Sequence, residues 1–209
     1  MQGMRIGIDI GGTHSDGVLL ENGRLLAAAK ARTRHDDLLA SINLLLKHLL
    51  TGQDASAVQC INLSTTLTTN AIITGDVAKV GVLVSAGPGI SVDTYRIGTQ
   101  FHHVAGSLNH VGQETTGIEP DELTMVLDEC QTAGISHFAV IGKFSPRNPD
   151  HELQIAEPFK DAAKVISYGH LLSGQLNFGR RINTTYFNAA VWDIARNFAE
   201  ALKESLHAF

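Results

Sequence analysis

Residues 9–16 read Asp-Ile-Gly-Gly-Thr-His-Ser-Asp and come directly after the apolar run Met4-Arg5-Ile6-Gly7-Ile8. A short buried strand therefore delivers an acidic side chain, two glycines and a group of hydroxyl and acidic residues into one tight turn. Glycines let backbone N–H groups approach an anion closely, because no Cβ stands in the way. Thr13 and Ser15 supply hydroxyl donors, and Asp9 and Asp16 are hard oxygen ligands of the kind that hold magnesium or its waters. Such a turn suits a phosphate with a divalent cation. The residues after the turn constrain the fold further. Gly17–Glu21 reads as a second strand, Asn22-Gly23 is a hairpin signal, and Arg24–Ala29 returns as a third strand. Dinucleotide-binding and P-loop phosphate sites feed straight into a helix N-terminus, so this chain is built on a different plan.

Beyond the meander, strands and helices alternate. Asp36 and Asp37 cap a helix with Leu39, Ile42, Leu45, Leu46 and Leu49 at helical spacing. Val58–Leu63 is a buried strand that runs into Ser64-Thr65-Thr66-Leu67-Thr68-Thr69-Asn70, continued by the helix-like Ala71-Ile72-Ile73. Lys79–Ser85 is another strand, broken by Gly87-Pro88-Gly89, and residues 91–113 give no clear periodicity. Asp121–Ala133 reads as an amphipathic helix, His137–Ile141 as a strand, Pro149–Phe159 as a helix and Lys164–Ser167 as a short strand. From Thr184 onward Phe187, Val191, Ile194, Phe198, Leu202 and Leu206 recur every three or four residues, which predicts one long helix. The pattern predicts an α/β fold with a largely parallel sheet, opened by an antiparallel three-strand meander.

Composition narrows the partners. The 209 residues are 44% hydrophobic and 18% charged, with a formal net charge of −5. That supports a substantial core and provides no electrostatic footprint for nucleic acid. No stretch approaches the ~20 apolar residues of a membrane span and no signal peptide opens the chain, so a cytoplasmic protein without membrane partners is expected. Cys60 and Cys130 lie far apart and read as core thiols in a reducing compartment. The histidines at 102, 103 and 110 match no metal-binding spacing.

Two further segments invite a functional reading. Ser64–Asn70 carries more hydroxyl and amide groups than a helix cap requires, which suggests a polar wall facing a ligand. Arg180 and Arg181 precede Asn183, Thr184 and Thr185 near the start of the last helix. Asn183 or Thr184 can cap that helix with the arginines solvated, or the arginines, which oppose the helix dipole there, serve a bound anion. A Gly-x-Ser-x-Gly elbow and a Gly-Lys-Ser/Thr loop are both missing, which removes support for a serine hydrolase or P-loop NTPase.

Taken together these segments resemble the N-terminal region of the hydantoinase A/5-oxoprolinase family, within the actin, Hsp70 and sugar kinase superfamily. Ile8–Asp16 resembles the family's opening Asp-x-Gly-Gly-Thr-Phe-Thr-Asp, and Ser64–Ala71 its Ser-Thr-Thr-Leu-Ala-Thr-Asn-Ala. Phe144–Glu152 is similar to its Ser-x-x-Asn-Pro-x-His-Glu, and Arg181, Thr184, Thr185, Asn188 and Ala189 to its Glu-Arg-x-x-Thr-Thr-x-x-Asn-Ala. His14 and Ser15 stand where the family has Phe and Thr, and Gly179 replaces the acidic residue before the arginine.

The resemblance implies a ribonuclease H-like, actin-like ATPase fold with helices on both sheet faces. It divides the chain into a phosphate-binding part (1–85), an α/β part (86–180) and the C-terminal helix (181–209). It further implies ATP and Mg2+ as cofactors and the opening of a hydantoin- or 5-oxoproline-type ring by phosphorylation of its carbonyl. Asp9 would be catalytic and, with Asp16, would hold the metal. Gly11, Gly12, Thr13, Ser15 and Asp16 would bind phosphate. Thr65, Thr66, Thr69, Asn70, Arg181, Thr185 and Asn188 would line the pocket. Family members continue through a second actin-like half, so the missing half or a partner subunit is expected, docked on an exposed apolar patch; self-association is also open to the chain. A small-molecule kinase of the same superfamily, or a non-catalytic half, are the competing readings.

Overall fold

The structure, a computed structural model, describes residues 3–34 and 37–207, the side chains of 206 and 207 excepted. It divides the chain into two compact units, Met1–Asp76 with Asp193–Phe209, and Val77–Trp192.

In the first unit β1 (Met4–Ile10) pairs antiparallel with β2 (His14–Glu21), and β2 with β3 (Arg24–Arg32). The β2–β3 turn uses Asn22 and Gly23 at φ 49° and 82°, the left-handed pair that matches strand twist in a two-residue hairpin. β2 begins at His14 rather than the expected Gly17. The turn proper is therefore Gly11-Gly12-Thr13. α1 (Leu38–Leu49) is capped by Asp37, whose Oδ1 accepts from the Ala40 N–H at 2.9 Å; Asp36 lies outside the described residues. β4 (Val58–Thr65) then runs parallel to β1, giving the order β3-β2-β1-β4. α2 (Leu67–Thr74) ends at Gly75, φ 74°. α7 (Trp192–His207) returns to this unit from the far end of the chain.

One face of this sheet is apolar and covered. Ile6, Ile8, Ile10 and Leu19 pack on Ile42, Leu45, Leu46 and Leu49 of α1, with Ile194, Phe198 and Leu202 of α7 against the same cluster. Each such buried side chain contributes about 1.5–3 kcal/mol. The other face, carrying Asp9, Asp16, Val18 and Asn62, is exposed. Gly7, Val18 and Ala28 line an open trough there of about 660 Å³. Asp9, Asp16, Lys30, Asn62 and Ser64 line the same trough.

The second unit is built on β5 (Val80–Ser85), β6 (Gln100–His103), β9 (His137–Gly142) and β10 (Val165–Tyr168), all parallel in the order β10-β9-β5-β6. A small antiparallel pair, β7 (Ser107–Leu108) and β8 (Glu114–Thr116), arises from the stretch that the sequence left without clear periodicity and the residues just after it. Its helices are α3 (Pro120–Thr132), α4 (Asp150–Ala156), α5 (Gly169–Leu172) and α6 (Phe178–Ala190). Every residue of β5 and β9 is buried, as continuous apolar runs require when helices cover both faces. Val82, Val84 and Ile141 meet Phe178 and Ile182 of α6 on one side. Leu83, Phe138 and Val140 meet Leu123, Val126 and Cys130 of α3 on the other.

The long C-terminal helix expected from the periodicity is two helices. α6 ends at Ala190, Val191 sits at φ −101° and ψ 6°, and α7 starts at Trp192. The apolar stripe runs through the break because periodicity reports which side is buried, not whether the backbone ladder is continuous. Among the described residues no helix is long and apolar enough to cross a membrane.

Candidate functional site

β1 and β4 are parallel, so the glycine turn after Ile10 and the start of α2 after Thr65 share one sheet edge. In open α/β sheets this carboxyl edge is where ligands bind. Thr65 joins the two segments. Its Oγ1 donates to Ile10 O at 3.0 Å and accepts from the Leu67 N–H at 3.2 Å, while the Thr66 N–H donates to Ile10 O at 3.3 Å. The turn is closed by the Gly11 N–H donating to His14 O at 3.0 Å. A Cβ on Gly11 would stand 2.9 Å from that same oxygen, and one on Gly12 3.0 Å from Asn70 Nδ2. A side chain is excluded at Gly11 by backbone contact, and at Gly12 it would have to displace the Asn70 amide.

The strand register sets four polar side chains in a row across the exposed face: Lys30, Asp16, Asp9 and Ser64. Lys30 Nζ lies 3.1 Å from Asp16 Oδ1. Asp9 makes no polar side-chain contact among the described residues. One carboxylate of the pair is thus balanced and the other is open. Magnesium is commonly held by one or two carboxylates alongside substrate phosphates, so the donor set fits that ion. Lys30 is not among the residues to which the sequence points.

Ser15 differs from expectation. It is 1% exposed, with its hydroxyl 2.9 Å from Thr33 Oγ1. Successive strand residues face opposite ways, so Ser15 cannot share the face of Asp16. Its hydroxyl ties β2 to the residue after β3. Thr13 remains at the turn, its Oγ1 3.2 Å from His14 Nδ1. Thr69 and Asn70 lie on α2 itself rather than in a loop before it, and Asn70 Nδ2 reaches Thr66 Oγ1 at 3.4 Å. Gly12 and Asn70 border a second cavity, of about 420 Å³, floored by Leu38, Leu67 and Ile194.

In the second unit the residues read as anion contacts form a core. Arg181 is 1% exposed. Its Nη1 donates to Gly142 O at 2.9 Å and Ser145 Oγ at 2.8 Å, and its Nη2 to Lys143 O at 2.6 Å. Glu152 Oε1 stands 3.7 Å from Nη1. Burial pushes the guanidinium pKa down, and the Glu152 charge pulls against it. Thr185 is fully buried and donates to Arg181 O at 2.7 Å, and Asn188 Nδ2 donates to Ser167 Oγ at 2.9 Å. Both terminal nitrogens are taken up by carbonyls and a hydroxyl, Nε is buried without a hydrogen-bond partner among the described residues, and at 1% exposure Arg181 is not presented to an anion from solvent. Glu152 is fully buried and accepts from the Gly142 N–H at 2.8 Å, the His170 N–H at 3.0 Å and His170 Nδ1 at 2.5 Å. Two sequence motifs therefore meet here, Ser145 and Glu152 from one and Arg181 from the other. Gly179 has a local cause as well: a Cβ there would lie 2.5 Å from Tyr95 Cε1, so the Tyr95 ring occupies the space of a side chain.

His102 Nε2 lies 3.7 Å from Cys130 Sγ and its Nδ1 3.7 Å from Glu129 Oε2. Burial lowers the histidine pKa and raises that of the thiol to about 11, so neutral imidazole faces neutral thiol. Among the described residues no group of three or more His, Cys, Asp and Glu side chains could hold a metal ion.

Residues 5–162, more than half of the chain, match the hydantoinase/oxoprolinase N-terminal region. The chain belongs to this family. Three of the four motifs fall inside the match, and the segment from Arg181 to Ala189 lies beyond it. No curated protein matches the chain in sequence. Among solved structures, an acetone carboxylase, described as nucleotide-free in work on ATP-dependent acetone carboxylation, is similar with a TM-score of 0.81 at 16% identity, over 98% of this chain and 35% of that one. The ATP-dependent caprolactamase of Pseudomonas jessenii is similar with a TM-score of 0.73 at 24% identity, over 97% of this chain and 34% of that one. These likenesses are likenesses of fold, the ribonuclease H-like α/β fold of actin-like ATPases and sugar kinases. The chain spans about a third of the length of both proteins.

Proposed function

We propose that the chain is the phosphate-binding part of an ATP-dependent enzyme that opens a cyclic amide. The observation that carries this reading is the in-register row Lys30–Asp16–Asp9–Ser64 beside the Gly11-Gly12-Thr13 turn. The Gly11 N–H closes the turn on His14 O, and the Thr13 N–H and hydroxyl would be donors for phosphate oxygens, positioned before charge develops. Asp9 and Asp16 would hold Mg2+, which supplies charge neutralisation of the phosphates. Lys30 partly balances Asp16, so Asp9 would carry the larger share of the ion's charge.

In this chemistry the ring carbonyl oxygen takes the terminal phosphoryl group and ADP leaves. Water adds to the carbon so activated, the ring C–N bond breaks, and a second water releases phosphate. The role of this chain in the sequence is to position the nucleotide phosphates; the remaining two thirds of a protein of the caprolactamase type, or a partner subunit, would complete the cleft. Support comes from family membership and from the two structural relatives, both connected with ATP-dependent chemistry.

The test is phosphate release by the full-length protein with Mg-ATP and a ring amide. Wild type is expected to couple the two, and Asp9→Asn to lower turnover by on the order of 10³-fold with an unchanged far-UV spectrum. Unchanged turnover in Asp9→Asn overturns the assignment.

A further inference from the structure

The cavity of about 420 Å³ beside the glycine turn is within the size range of small-molecule sites. Its composition is selective. Leu38, Leu67 and Ile194 make an apolar floor, while Asn70, Asp76 and Asn197 carry the polar groups of its rim. The carboxylate of Asp76 and the side-chain amide of Asn197 make no hydrogen bond or ion pair among the described residues. No Lys, Arg or His is among the described residues that line it.

We infer that this cavity receives the acceptor ring and selects an uncharged cyclic amide or urea over one that carries a carboxylate. The inference rests on the phosphate reading of the adjacent turn, since Gly12 is shared by turn and cavity. A ring amide offers one N–H donor, one carbonyl acceptor and a run of methylenes. Asp76 accepts the N–H, the amide of Asn70 or Asn197 donates to the carbonyl, and the methylenes rest on the leucines and Ile194. A ring bearing a carboxylate brings a second negative charge to Asp76, with no cation among the described lining residues to answer it. Like charges at this range oppose each other, and an unpaired charge loses its hydration on entry. Of the two ring types the family name covers, the hydantoin-like neutral ring is therefore the one that fits.

Calorimetric titration of the full-length protein, in the presence of Mg2+ and a non-hydrolysable ATP analogue, tests this with 2-pyrrolidinone, hydantoin and 5-oxoproline. The neutral rings are expected to bind at least tenfold more tightly than 5-oxoproline. Asp76→Asn, an exposed site, is expected to narrow that gap at least threefold. Thr74→Trp, which fills the cavity from its rim, is expected to weaken ring binding at least tenfold with an unchanged far-UV spectrum. Preference for 5-oxoproline, a gap indifferent to Asp76→Asn, or ring binding indifferent to Thr74→Trp overturns the inference. Titration of the nucleotide analogue alone separates the two readings. Nucleotide bound with no ring bound sinks the cavity assignment; rings bound with no nucleotide bound sinks the phosphate reading instead.

Discussion

Asp9 and Asp16 are cross-strand partners on the exposed face of the β1–β2 pair, and among the described residues Lys30 pairs with Asp16 and not with Asp9. The ion pair itself is exposed and contributes about 0–1 kcal/mol to stability. Its consequence is electrostatic asymmetry between two adjacent carboxylates. Asp9→Asn is expected to lower Mg-ATP turnover by on the order of 10³-fold, the effect of losing a preorganised charge. Asp16→Asn should lower it less, because Asp16 is already compensated. Steady-state phosphate release at several Mg2+ concentrations checks the order of the two variants, and equal losses would contradict it.

Gly17 is where α1 rests on the sheet. A Cβ there would meet Leu49 Cδ1 at 2.8 Å and Leu45 Cδ2 at 3.1 Å, inside the main core of the unit. Gly17→Ala is expected to destabilise by about 1–3 kcal/mol through overpacking. Gly7, on the open face, meets only Val18 Cγ2 at 3.3 Å. Gly7→Ala should be near neutral, because a strand gains from losing a glycine. Urea unfolding of both variants distinguishes the covered face from the open one.

Arg181 and Glu152 are buried together; removing Glu152 takes away the carboxylate beside the guanidinium, and removing Arg181 leaves Glu152 with His170 and its backbone donors. Arg181→Met is expected to destabilise by about 3–5 kcal/mol. Adding Glu152→Gln to it should cost less than the sum of the two single changes, since the first already broke the pair. A double-mutant cycle by chemical denaturation measures the difference; strict additivity would show that the network is not coupled.

His102 links stability to pH. Its folded pKa lies below the ordinary histidine value, chiefly through burial, so the unfolded chain binds a proton more readily. The contribution is fully present above about pH 6.5 and is lost as pH falls below it. Relative to His102→Gln, the native protein should therefore lose stability as pH falls from about 7 to about 5. Parallel melting curves across that range would contradict the shift.

Cys130 and Cys60 are both free, and they differ in reach. Cys130 is buried with its thiol pKa pushed up to about 11, whereas Cys60 is half-buried. Iodoacetamide at pH 8 should label Cys60 first and Cys130 only on unfolding, read by mass spectrometry of peptides. Equal labelling rates would show that the α3 face opens in the native state.

Much of the fold was legible because its signals are local. Asn22-Gly23 carries the backbone angles of its turn, and the mainly apolar runs at β5 and β9 announce strands covered on both faces. Helix continuity was not legible past Val191, since burial phase survives a break that belongs to the backbone. The site was half legible. The glycine turn is a feature of composition, but exposure is decided by alternation along β2, which sends Ser15 inward and Asp16 outward. Arg181 read as a ligand contact because its partners, Gly142, Lys143, Ser145 and Glu152, lie far away in sequence.

The sequence by itself determined a strand, a glycine turn and a hairpin, in that order, with two carboxylates bracketing the turn. Those features depend on neighbours a few residues apart. Which side chain stands beside Asp16 was decided by tertiary structure. Counting back from the Asn22-Gly23 turn, the pairs Glu21 with Arg24 and Leu20 with Leu25 would continue to set Lys30 opposite Ser15, on the buried face. A bulge intervenes: Leu19 pairs with Ala27, Leu26 is left without a partner, and the register shifts by one. In a sheet one residue of slip exchanges the two faces. That slip brings Lys30 out beside Asp16, keeps Ala31 in the core, and leaves Asp9 next to the turn without a charged partner among the described residues.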